Sequence, residues 1–170
     1  YIRFVTEKLY YRNTKVAGRE NVPAAGVPTL IASNHFNSMN DAMAVLLALD
    51  DRKPCFIVRA DVFSLSAAAN KFLRSIGLLP AYRMDYEGVD SMAGNIATFK
   101  MSEEALYDGE TVTIFPQAGH SEGYWIDRFT GGMAKMVFEA AAMGNFEKEI
   151  LIVLDLTHAN GMVPIRADTW

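Results

Sequence analysis

The chain has 170 residues, about half of them hydrophobic, with 16 Lys and Arg against 20 Asp and Glu and a formal charge of −4. That size suits one domain with a sizeable core, and the mixed composition excludes a disordered chain. The acidic balance disfavours a nucleic-acid partner, because phosphate neutralisation needs a positive face. Cys55 is the single cysteine, which excludes an internal disulfide framework and a cysteine-rich metal site.

No apolar run approaches the roughly eighteen residues that span a bilayer. The longest, "AMAVLLAL" over Ala42 to Leu49, stops at Asp50-Asp51 and fits a buried helix. A start at Tyr1 rather than Met and an abrupt end at "RADTW" are what a fragment of a longer protein would show, and the whole of 1–170 is expected to be a single domain.

"YIRFVTEKLYY" spaces its apolar residues as a helix does, and "TKVAG" predicts a short strand before the Pro- and Gly-rich loop "RENVPAAGVP". "TLIAS" (Thr29 to Ser33) is an apolar strand, followed by a helix from about Asp41 to Leu49. "PCFIVR" (Pro54 to Arg59) is the next strand, and Ser64 to Gly77 the next helix, closed by a glycine. "LLPAY" is a short strand ahead of Arg83; Val89 to Tyr107 reads as a helix and Asp108-Gly109 as a turn. "TVTIF" (Thr111 to Phe115) is a strand, Pro116 to about Thr130 a loop, "GGMAKMVFEAAAMG" a helix and Glu149 to Leu156 an almost wholly apolar strand. Strands that alternate with helices, several of them apolar on both faces, predict an α/β fold with a mostly parallel sheet flanked by helices.

In such sheets functional groups collect beyond the carboxyl ends of the strands. Three polar clusters fall there: His35 to Asp41, Tyr82-Arg83, and Gln117 to Ser121. On one continuous helix the six-residue step from His35 to Asp41 would set the side chains about 240° apart, so they meet only if His35 lies in the turn and Asp41 in the first helical turn. A carboxylate on one imidazole nitrogen fixes the tautomer and makes the other a better base toward a substrate hydroxyl. By itself the pair reads equally as a helix-capping Asp beside an ordinary loop histidine. "IFPQAGHSEG" reads as a turn whose backbone N–H groups would face an anion, or as a plain Pro-Gly loop. Arg83 and Arg128 read as forks for phosphate or carboxylate, or as surface charges. Cys55 reads as core. His35, His120 and His158 lack tight ligand spacing, so no metal is expected.

In order, these clusters resemble the motifs of the glycerolipid acyltransferases, the lysophosphatidic-acid and glycerol-3-phosphate acyltransferases. "SNHFNSMNDAM" is similar to the first motif, "GLLPAYR" to the second, "IFPQAGHSEG" to the third (Phe-Pro-Glu-Gly-x-Arg) and "ILIVLDL" to the fourth, over about Val16 to Thr157. The lead-in "GRENVPAAGVPTL" resembles the family's Gly-x-Glu-Asn-Ile-Pro. Five residues separate His35 from Asp41 where four are usual, a spacing similar to that of a bacterial branch. Gln117 stands where the family has Glu, and His120 where it has Arg, so the resemblance implies an acceptor other than a simple glycerol phosphate.

The resemblance implies acyl transfer from acyl-ACP or acyl-CoA, as co-substrate, to a hydroxyl of a lysophospholipid or related lipid precursor in phospholipid biosynthesis. His35 would be the general base and Asp41 its orienting group. Arg83, Gln117, Gly119, His120 and Arg128 would bind substrate, Asn34 would shape the pocket, and no cofactor would be needed. The resemblance also implies peripheral attachment at the cytoplasmic face of the inner membrane, where a helix over 1–12 would lie in the interface or pack on the domain. Asp61 to Leu79 would line an acyl groove or serve as core. The competing readings are a catalytically weak lipid-binding module, motivated by Gln117 and His120, and a thioesterase in which His35 activates water.

Overall fold

A computed structural model of the chain describes residues 15–35, 39–49, 51–64, 66–82, 89–117 and 128–155, together with Phe4. Its centre is a five-stranded sheet of β1 (Thr29–Ser33), β2 (Cys55–Arg59), β3 (Leu78–Ala81), β4 (Thr111–Ile114) and β5 (Leu151–Asp155). The order across the sheet is β3-β2-β4-β1-β5, and every pairing is parallel, so the predicted mostly parallel sheet is parallel throughout. Parallel neighbours need crossovers, and helices α1 (Met39–Ala48), α2 (Ala67–Ser75), α3 (Val89–Tyr107) and α4 (Gly132–Met143) occupy the intervals between strands. None of the described helices is long and apolar enough to cross a membrane.

The apolar character of β1 on both faces follows from its position. All five of its residues are buried, and its alternating side chains feed two cores. Leu30 joins Val112, Leu106 of α3, and Met136 and Ala140 of α4 on one face. Ile31 joins Val45 of α1, Leu49 and Phe56 on the other. Each fully buried aliphatic side chain contributes about 1.5–3 kcal/mol, so β1 is anchored from both sides and its carboxyl end is a fixed platform.

Polar side chains fasten the strand ends. Asn95 of α3 bonds Tyr82 in both directions, accepting its N–H at 2.8 Å and donating Nδ2–H to its carbonyl at 2.7 Å. The Tyr82 ring lies so close to α3 that a Cβ at Gly94 would stand 2.6 Å from it. Turn Asp108-Gly109 is equally specific: Gly109 has φ +88°, and a Cβ there would fall 2.6 Å from the Gly26 carbonyl oxygen.

Two predicted elements differ. Lys15 to Gly18 of "TKVAG" form no strand; Gly18 sits at φ +75° and turns the chain into a short 3-10 helix, Arg19–Asn21. The helix placed at Ser64 begins instead at Ala67, because the Ser66 hydroxyl accepts the Ala69 N–H at 3.0 Å and caps it. Ahead of it, Ala60–Ser64 is a 3-10 helix. The predicted helix over Tyr1 to Tyr11 lies outside the described residues apart from Phe4, which is exposed.

Candidate active site

The sheet order brings three strands to one edge. The ladder between β1 and β4 ends at Ala32 beside Ile114, and that between β1 and β5 at Ser33 beside Asp155. Residues that follow β1 and β4 therefore emerge side by side, and Asp155 closes the row. The Ser33 hydroxyl donates to Asp155 Oδ2 at 2.8 Å.

His35 occupies the turn after β1, and Asp41 the first turn of α1. Nδ1 of His35 lies 3.1 Å from Asp41 Oδ2, which joins the two predicted partners across their six-residue separation. The His35 side chain is 20 % exposed and that of Asp41 1 %. A carboxylate at that depth must be met by donors. As a carboxylate only accepts, a neutral imidazole bonded to it carries its proton on Nδ1 and keeps its lone pair on Nε2.

Two residues that follow β4 complete the cluster. Phe115 stacks on the imidazole, with ring centroids 4.3 Å apart and planes inclined by 23°. The backbone N–H of His35 donates to Oε1 of Gln117 at 2.7 Å. Nε2 of Gln117 is buried and has no hydrogen-bond partner among the described residues. Asn34, beside His35, is buried at 2 % exposure.

The structure thus gathers His35, Asp41 and Gln117 of the predicted site residues. Arg128 is exposed, two positions before Thr130, whose N–H bonds the Pro116 carbonyl at 2.9 Å. No hydrogen bond or ion pair among the described residues ties Arg128 to the cluster. Arg83, Gly119 and His120 lie outside the described residues. Sequence reasoning missed Phe115 as a contact of His35 and Asp155 as a partner of Ser33. Alternation along "TVTIF" carried the signal for the former, since Thr113 and Phe115 share a face of the sheet with Ile31, the strand neighbour of Thr113. Among the described residues, no three His, Cys, Asp or Glu side chains gather as a metal site.

Chemically, the cluster is an imidazole with a fixed tautomer, a fixed ring plane and a fixed backbone at the carboxyl edge of a parallel sheet, which is equipment for moving one proton. The family model described as "Acyltransferase" matches residues 13–154 and so spans every described strand except the last residue of β5. No curated protein matches the sequence.

Proposed function

We propose that the chain, which belongs to the acyltransferase family, moves a fatty acyl group from acyl-ACP or acyl-CoA to a hydroxyl of a lysophospholipid or related lipid precursor. The family makes it an acyltransferase enzyme; its type is read as that of the 1-acylglycerol-3-phosphate acyltransferases. The observation that carries the reading is the 3.1 Å contact between His35 Nδ1 and the buried Asp41 carboxylate.

His35 Nε2 takes the proton of the acceptor hydroxyl as its oxygen attacks the thioester carbonyl carbon. The tetrahedral adduct collapses by breaking the C–S bond, and the imidazolium returns the proton to the departing sulfur. Atoms balance without a covalent acyl-enzyme. Asp41 holds the ring and compensates the charge that it acquires. Arg83 and Arg128, with Gly119 and His120, are assigned to the acceptor headgroup, and the work is placed at the cytoplasmic face of a bacterial inner membrane, held peripherally.

The test is thiol release from acyl-CoA and acyl-ACP against a panel of lyso-lipid and amino-lipid acceptors. Release should depend on acceptor and fall about 10²- to 10⁴-fold in His35→Ala. No release with any acceptor, from protein shown to be folded, overturns the reading in favour of a lipid-binding module. Free fatty acid as the product under saturating acceptor makes the protein a hydrolase.

A further inference from the structure

We infer that Gln117 serves the reaction as a positioning residue that holds the main chain of His35, and does not hold the acceptor; this rests on His35 being the base. A backbone N–H can only donate, so the atom 2.7 Å from His35 N is the carbonyl oxygen of the side chain, and the orientation of the carboxamide is fixed by its partner. The other terminal atom, Nε2, is buried and meets no acceptor among the described residues. One end of the amide is occupied by the turn that carries His35, so the oxygen that would meet an acceptor is already engaged with the main chain.

The place of the bond in the sheet explains its use. Ala32 and Ile114 are the last paired residues of β1 and β4. His35 and Gln117 each lie three positions further on, so the side chain of Gln117 ties the two chains together where the ladder has stopped. The restraints on His35 then divide cleanly. Asp41, from α1, fixes a ring nitrogen; Phe115, from the end of β4, fixes the ring plane; Gln117 holds the backbone from which the ring hangs. Asp155 lies on the far side of β1, engaged with Ser33. Losing the ring contacts would let the imidazole rotate, whereas losing Gln117 would move the whole residue. A shift of about 1 Å in a proton-transfer group costs on the order of 100-fold in rate.

The experiment compares Gln117→Leu, which keeps the bulk and deletes the oxygen, with Gln117→Glu, which keeps an acceptor oxygen. Leu should lower kcat about 10- to 100-fold with the KM for acceptor within about twofold. Glu should recover most of the lost kcat. A loss carried by acceptor KM, or a Glu variant no better than Leu, overturns the inference and returns Gln117 to the headgroup. Gln117→Met repeats the Leu experiment if the Leu protein melts early. A readout independent of turnover separates this inference from the proposed function: the His35 amide proton should exchange slowly in the wild type and rapidly in Gln117→Leu. Equal exchange in the two proteins sinks the clamp, even if no acyl transfer is ever detected.

Discussion

The two ends of the parallel sheet use the same kinds of bond in opposite directions. At the amino end, Arg52 holds the surrounding chain. Its Nε and Nη2 grip Asp51 at 2.9 and 2.7 Å, Nη2 also reaches the Pro23 carbonyl at 2.5 Å, and Nη1 lies 3.4 Å from Thr111 Oγ1. Asp51 responds with a lowered pKa, chiefly through its side-chain hydrogen bond to Arg52. At the carboxyl end the surroundings hold the charged or reactive group instead, since carboxylate, phenyl ring and carboxamide all converge on His35. A side chain that organises its neighbours is there for stability. One that its neighbours organise is arranged as a reactive group needs to be.

Substitutions at the two ends should therefore part company, and the largest effect belongs to Asp41→Asn. An amide at that depth can offer His35 an N–H and favour the wrong tautomer, so kcat should fall about 10²- to 10⁴-fold while the melting temperature changes little. Retained activity would place the base elsewhere.

Next comes Cys55, which lines a cavity of about 420 Å³ at the amino end with Arg52, Lys53, Arg74 and Glu110. Its thiol is pushed up from 9.0 to about 12, first by burial and then by the Glu110 carboxylate, whose Oε2 lies 3.3 Å from Sγ. Native protein should react with iodoacetamide near pH 8 about 10²- to 10³-fold more slowly than the unfolded chain, with no effect of alkylation on acyl transfer. The sign of the linked stability is also fixed. Below pH 9.0 the thiol is neutral folded or unfolded; between there and about 12 only the unfolded form ionises, so stability declines as pH rises through that window. A Cys55→Ser protein should lose that slope.

Smallest is Arg52→Met, which removes the grip on Asp51, Pro23 and Thr111. It should cost about 1–3 kcal/mol in urea unfolding and leave kcat within about twofold. A large loss of kcat with unchanged stability would erase the distinction between the ends.

The contact between His35 and Asp41 was legible in the sequence because both members lie in one strand–turn–helix unit, where spacing alone decides whether they can meet. The strands were legible for the same local reason, as apolar runs between glycine and proline turns. The Gln117 bond was not, for it crosses 82 positions and its other partner is a backbone N–H, which no residue type advertises. Nor was the failed strand at "TKVAG": its composition permits a strand, but the left-handed Gly18 turns the segment away. Arg83, Gly119 and His120 lie outside the described residues, so the resemblance alone speaks for them.

The strand that leads into His35 is enclosed late. Ser33 and its outer neighbour Asp155 are 122 residues apart in the chain, and a ribosome adding about 5–20 residues per second takes roughly 6–24 s to cover that distance. For that interval β1 exists without β5, and its outer edge is an open template for another strand. The step that closes that edge also sets Asp155 against Ser33, so the carboxyl edge of the sheet becomes complete only as the last described strand leaves the ribosome.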